Sequence, residues 1–409
     1  MHVLFVHRNF PAQFGQVAAR LVRRGWRCTF VSTRGTATVD GIECVHYTVR
    51  GGASRRQSFH TRPFENAVAE AEGVYRAVKA RPDLRPDLIV GHSGFGSTIF
   101  LRELLDVPVL NYFEYYYRPR GSDLDFRPDV VPTAAQRLRA RLLNAMILLD
   151  LQNCDAGYTP TAFQRRCFPR EYRPKIAQIY DGVDTTVYRP LRRPGRTFGG
   201  RTIPRGTRIV TYCASAFERV RGFDIFMQAA RLIYQRYPDV VFLVVGSDRQ
   251  RYGDDRERAR PYRTFREWVL AQADYDRSKF VFLGLIPPPT LARVLAAGDA
   301  HIYLTAPFVL GWSMMDALAC GTVVIGSDTA PVREMITPGH NGFLADFFDP
   351  EAIADRTTAV LRDPAAFAPI RRNAVRFIRE RYSLERVLPR IIALYRATAR
   401  RRPARDRSR

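Results

Sequence analysis

The chain's 409 residues exceed one ordinary hydrophobic core, and 46% hydrophobic with 12% aromatic content excludes a disordered chain. The net charge of +24 comes mostly from arginine spread along the sequence; without a basic stripe interleaved with aromatics it argues against a nucleic-acid module, leaving a solvated basic surface or a peripheral contact with the inner face of an anionic membrane. No apolar run approaches the roughly 18–20 residues of a membrane-spanning helix, and the six cysteines, scattered singly without metal-like spacing, point to reduced thiols in a cytoplasmic protein.

In chain order, short β-branched runs alternate with amphipathic helical patterns. "HVLFV" precedes "FGQVAARLVRRG"; "RCTFVS" and "IECVHYTV" precede the helical "PFENAVAEAEGVYRAVKA". "PDLIVGH", "VPVLNYFEYYY", "TAAQRLRARLLNAMILLDLQ", "DAGYTP" and "IAQIYDGVD" complete a first domain over 1–190. Residues 191–207, rich in Pro, Gly and Arg and without periodicity, read as a linker. A second series over 208–375 runs from "RIVTYC" through "VVFLVVG", "KFVFLG", "AHIYLT" and "TVVIGS". A C-terminal helix over 376–400 is expected to pack back on the first domain, ahead of a disordered basic tail at 401–409. Alternating strands and helices predict an α/β protein with two Rossmann-like, doubly wound parallel sheets facing a cleft, with ligands beyond the carboxyl ends of the strands.

The block "PFVLGWSMMDALACGT", Pro307 to Thr322, reads as a strand exit, a Gly turn and a short helix. Ser313 is expected as its N-cap with Asp316 at the third helical position, a capping-box-like pair worth about 1 kcal/mol. Asp316 thus reads either as a helix starter or as a carboxylate that grips sugar or ribose hydroxyls. The amides around Gly311, Trp312, Ser313, Met314 and Met315 suit a phosphate in either case.

The order and spacing of these blocks resemble the retaining glycosyltransferases of family 4, which have the GT-B fold. The resemblance runs almost end to end, through "FPAQFGQVAARLVRRGWRCTFVS", "PDLIVGHSGFG", "IYDGVDTTVY", "FERVRGFDIFMQAARLI" and "ACGTVVIGSDTAPVREMITPGHNGFLADFFDP". It implies transfer of a sugar from a nucleotide-diphosphate donor to a hydroxyl of a carbohydrate, lipid-linked or small-metabolite acceptor, with retention of configuration and without cofactor or metal. Asp316 matches the second of the family's two spaced glutamates; the first falls on Phe308, a subgroup-like departure reading "PFVLxWS". The family's phosphate-gripping Lys matches Arg221. Its Arg falls on Ser215 or Ala216, with Arg219 as a substitute. The resemblance further implies His92 near the transferred sugar and Gly15 where backbone passes close to the donor diphosphate. Glu114, Tyr115 and Tyr116 read either as an acceptor platform or as a core aromatic cluster. Two rivals are weighed, a degenerate GT-B scaffold acting as a binding or regulatory protein and a nucleic-acid-binding module exploiting the +24 charge, with a metal-dependent transferase using the D-x-D pair Asp123 and Asp125 as a third.

Overall fold

The computed structural model describes residues 1–401 except 36, 37, 39, 55 and 193. The expected basic tail therefore lies, from 402 on, outside the described residues. The chain divides into two compact units: Met1–Asp181 with Val387–Arg409, and Gly182–Arg386.

The first unit is built on seven strands: β1 (His2–Val6), β2 (Arg27–Ser32), β3 (Glu43–His46), β4 (Leu88–Ser93), β5 (Val109–Phe113), β6 (Ala156–Thr159) and β7 (Ile176–Gln178). They form one parallel sheet in the order β3-β2-β1-β4-β5-β6-β7. Strand order reverses between β1 and β4, the switch point where such sheets place ligands. Successive residues of β1 serve opposite faces: Val3 and Phe5 pack with Phe14 and Phe30, while Leu4 and Val6 pack with Ile89 and Phe113. The first of these faces is closed by the last helix, Leu384–Ala399, which contributes Val387, Leu388, Ile391 and Tyr395.

The second unit opens with a hairpin, β8 (Thr197–Phe198) and β9 (Arg201–Thr202). Its sheet comprises β10 (Arg208–Cys213), β11 (Val240–Val245), β12 (Phe280–Gly284), β13 (Ala300–Tyr303), β14 (Val323–Ser327) and β15 (Phe343–Ala345). All are parallel, in the order β12-β11-β10-β13-β14-β15, with the switch between β10 and β13. β11, "VVFLVV", is buried along its whole length, as a parallel strand covered on both faces should be.

Residues 191–207 differ from the expected linker. The hairpin's Phe198 and the following Ile203 are buried with Ile209, Val241 and Leu243, so two apolar side chains pin this polar, Gly-rich stretch to the second core. The boundary falls earlier, between Asp181 and Gly182. The expected 376–400 helix is interrupted by a widened turn at Ile378–Tyr382 before Leu384–Ala399 begins. No helix among the described residues is long and apolar enough to cross a membrane.

Candidate active site

In the second unit the chain leaves β10 through a loop to a single turn, Arg219–Arg221, stopped by Gly222. Gly222 has φ 62°, and a Cβ there would fall 2.7 Å from Leu304 Cβ. Only glycine fits this left-handed, crowded position, which fixes where Arg221 emerges. Arg221 is buried, and its Nη1 donates to Thr305 Oγ1 and to the Val309 carbonyl, each at 2.8 Å. Its own carbonyl accepts from the Tyr212 hydroxyl at 2.8 Å. The guanidinium thus stands on a scaffold supplied by β10, β13 and the loop that follows β13.

That loop enters the helix Trp312–Cys320 through Gly311, in extended conformation and without a side-chain cap. The Gly311 amide donates to the Tyr303 hydroxyl at 2.6 Å. Of the next first-turn amides, those of Ser313 and Met314 have no partner within their helix by its geometry. A Cβ placed on Gly311 would lie 3.8 Å from Arg221 Nη1. A guanidinium and a helix N-terminus therefore converge, a combination suited to a phosphate or diphosphate. Phe308 is buried beside them, its ring 5.0 Å from that of Tyr252 and 5.9 Å from the Arg221 guanidinium.

Asp316 lies one turn into the helix and is buried, with no cation offsetting its charge among the described residues, so desolvation holds its carboxyl well above the usual carboxylate range. Its charge is felt by Tyr188, Cys213 and Cys320. Burial favours its protonated form, which can donate one hydrogen bond and accept others. Glu218, immediately before the Arg219–Arg221 turn, is also buried; Oε1 accepts the amides of Arg251 and Tyr252 (the latter at 2.7 Å), while Oε2 has no partner. Burial raises its pKa despite those amides.

In the first unit, His7 directly follows β1 and His92 lies near the end of β4, their rings 4.9 Å apart and edge-on. His92 is wholly buried among Phe14, Phe95 and Tyr112. Its Nδ1 meets the Ser93 carbonyl at 3.0 Å, whereas Nε2 has no partner. His7 repeats the arrangement: Nδ1 accepts the Asn9 amide at 2.9 Å and Nε2 is buried and unpaired. Desolvation pushes both imidazoles down, His7 to about 4, so both are neutral at pH 7. Two buried ring nitrogens without partners are an expensive arrangement that a hydroxyl-bearing ligand would satisfy.

Residues 24–188 match the family described as "Glycosyl transferase family 4 group", and residues 207–363 match "Glycosyl transferases group 1". Both stretches match glycosyl transferase models, and the architecture is the GT-B fold. The chain is 26% identical over 240 residues to a D-inositol 3-phosphate glycosyltransferase of Corynebacterium urealyticum, an alignment that spans 55% of this chain and 52% of the relative. The chain spans about half the length of the curated relatives it matches first. Among solved structures it is similar to sucrose-phosphate synthase from Thermosynechococcus elongatus, with TM-score 0.72, 19% identity and coverage of 97% of this chain and 98% of the other. It is also similar to Anabaena HepE in complex with UDP-glucose, with TM-score 0.70, 14% identity and coverage of 97% and 100%.

Doubly wound sheets place ligands beyond the carboxyl ends of their strands, and the candidates sort accordingly. Arg221, Gly311, Trp312, Ser313, Met314 and Asp316 gather around one helix entrance. Met315 lies a position too deep to offer a free amide, and its side chain is fully buried. Ser313 does not cap: Gly311 is the cap, and the Ser313 hydroxyl donates instead to the Cys213 carbonyl at 2.9 Å, so no capping box with Asp316 forms. Arg219 uses its amide to donate to Asp255 at 2.8 Å. His92 sits inside β4 and not beyond it. Gly15 begins the helix Gly15–Val22, and a Cβ there would fall 2.2 Å from Pro11 Cβ; crowding by its own loop explains this glycine.

The aromatic cluster after β5 turns inward. Tyr115 is buried and donates to Asp123 at 2.9 Å, and Tyr116 packs on Phe168 at 5.6 Å. Glu114 gives its carbonyl to Gln164 Nε2 at 2.6 Å. The D-x-D pair is likewise employed in the fold: Asp123 takes the Tyr115 hydroxyl and burial pushes its carboxyl up to about 6, while Asp125 accepts the amides of Gly121 and Ser122. His7, Glu218, Tyr303 and Thr305 were not singled out from sequence. Only His7 carried a usable signal, its position at the end of β1 mirroring His92 at the end of β4.

Proposed function

We propose that the chain transfers a sugar from a nucleoside-diphosphate sugar to an acceptor hydroxyl, with retention of the anomeric configuration and with the diphosphate neutralised by protein groups in place of a metal. The observation that carries this reading is the convergence of Arg221 with the uncapped Trp312–Cys320 helix at the carboxyl end of the second sheet. The solved neighbour with UDP-glucose supports the donor class.

As the bond between the anomeric carbon and the diphosphate oxygen breaks, negative charge grows on the diphosphate. Arg221 and the amides of Ser313 and Met314 stabilise it, and because they are already oriented, little reorganisation is needed. The acceptor oxygen bonds to the anomeric carbon from the face the diphosphate leaves, and the acceptor's proton passes to a diphosphate oxygen. Asp316, its pKa raised by burial, holds donor hydroxyls. His92, neutral with Nε2 unpaired, orients a sugar or acceptor hydroxyl. Phe308 and Tyr252 supply an aromatic wall where the resemblance leads one to expect a carboxylate, so donor choice rests on shape and C–H contacts there. The acceptor is a carbohydrate, a lipid-linked sugar or a small metabolite.

Thermal stabilisation by a panel of nucleoside diphosphates and their sugars, with and without a divalent metal, tests the reading. A metal-independent rise in Tm with one nucleotide is the expected result. No rise with any of them would overturn it in favour of a degenerate scaffold. A peripheral contact with anionic membrane has a suitable surface on the helix Ala134–Leu142, where exposed Leu138 and Leu142 stand beside Arg137, Arg139 and Arg141. Co-flotation with anionic vesicles that survives Leu138→Glu would reject that surface.

A further inference from the structure

The segment between β11 and β12 holds seven arginines and five acidic residues over 248–267. Most of the acids are committed. Asp248 pairs with Arg266 at 2.7 Å and Asp254 with Arg258 at 2.9 Å. Asp255 accepts the Arg219 amide at 2.8 Å, and Glu267 accepts the Arg263 amide at 3.0 Å. Glu257 lines a neighbouring hollow. Left over are the side chains of Arg249, Arg251, Arg256 and Arg263, which line one pocket of about 590 Å³ and form no ion pair among the described residues.

A merely solvated surface would turn four like charges apart, since their repulsion falls with distance. Here the backbone that carries them is fixed. The buried Glu218 carboxylate accepts the Arg251 and Tyr252 amides, the Gln250 side chain accepts the Arg256 amide at 2.9 Å, and Thr264 caps the helix Phe265–Ala271 through the Glu267 amide at 3.1 Å. The walls are held and the charges are unsatisfied, which is how an anion receptor is preorganised. The pocket's volume falls within the range of small-ligand sites. Four forked guanidinium groups exceed what one phosphate, with three free oxygens, can engage bidentately.

The pocket is also set apart from Arg221. Arg221 is buried against Thr305, Val309 and Phe308, none of which lines the pocket, whereas the four pocket arginines are exposed. We infer that this pocket binds a soluble compound carrying two or more closely spaced phosphate-type oxyanions, at a site separate from the one that holds the donor diphosphate. The inference does not depend on the chain's being an active transferase.

The test is calorimetric titration of the full chain with inorganic tripolyphosphate at about 0.15 M salt, where diffuse surface attraction is largely screened. Arg249→Ala/Arg256→Ala should weaken binding at least tenfold. Arg23→Ala/Arg205→Ala, which removes the same charge from exposed positions elsewhere, should leave it unchanged. Saturating UDP should not displace tripolyphosphate. An equal loss in both double variants, no loss in the pocket variant, or competition by UDP would each overturn the inference. If UDP fails to bind while the pocket variant still loses tripolyphosphate, the inference stands and the donor-site reading falls.

Discussion

At the switch point of the first sheet, β1 and β4 lead into His7 and His92, two uncharged imidazoles among aromatic rings. At the switch point of the second, β10 and β13 lead into Arg221, the helix start at Gly311 and Asp316, whose burial favours its protonated form. The topology is the same and the chemistry opposite. The second unit is equipped to hold charge and the first to read an uncharged group by hydrogen bonds in a dry setting. A doubly wound sheet dictates where a site lies, and the few residues past its strand ends decide what the site does.

The comparison breaks most visibly if the second unit's charge handling is removed. Arg221→Met, which keeps an unbranched apolar stem and removes the guanidinium, should lower turnover with the cognate donor by about 100–1,000-fold, the scale of losing one preorganised donor to developing charge. Circular dichroism should show the fold retained; unchanged turnover would remove Arg221 from the mechanism. Gly222→Ala should destabilise the protein by about 1–3 kcal/mol in chemical denaturation, because it places a Cβ in a left-handed conformation against Leu304.

In the first unit, His92→Phe keeps a ring in the nest and removes only the hydrogen-bonding nitrogens. It should slow transfer about tenfold, the worth of one neutral hydrogen bond, and leave nucleotide binding intact. If nucleotide binding falls instead, the division of labour between the units is wrong. The smallest effect is a tilt with pH. The folded pKa of Asp316 is raised, so its contribution is least unfavourable below the ordinary carboxylate range near 4 and turns against the fold as pH climbs through the folded pKa. Asp316→Asn should therefore gain Tm relative to the wild type between pH 5 and pH 8. Parallel pH profiles would mean that Asp316 is ionised and compensated.

Much of the architecture was legible in the sequence because buried parallel strands are written as continuous apolar runs, as in "VVFLVV" and "HVLFV". Arg221 and Asp316 entered as candidates through the family resemblance, and the structure places Arg221 beside the start of the helix that carries Asp316. What was not legible depended on tertiary partners. The direction of Tyr115 is set by Asp123, that of Ser313 by the Cys213 carbonyl, and the demand for glycine at position 15 by Pro11. The hairpin at 197–202 hid because Phe198 and Ile203 reveal themselves as anchors only once the second core exists to receive them.

The last helix bears on the order of assembly during synthesis. Phe5, Phe14 and Tyr158 leave the ribosome long before Val387, Leu388, Ile391 and Tyr395, the side chains that complete their cluster. The stretch Gly182–Arg386 is continuous and needs nothing from downstream to form its own core. The middle of the chain can thus become native while the beginning still waits with an open apolar face, reversing the usual N-to-C sequence of domain folding. A nascent chain halted just short of residue 387, with Gly182–Arg386 already emerged, would display that face to chaperones beside a second unit free to fold.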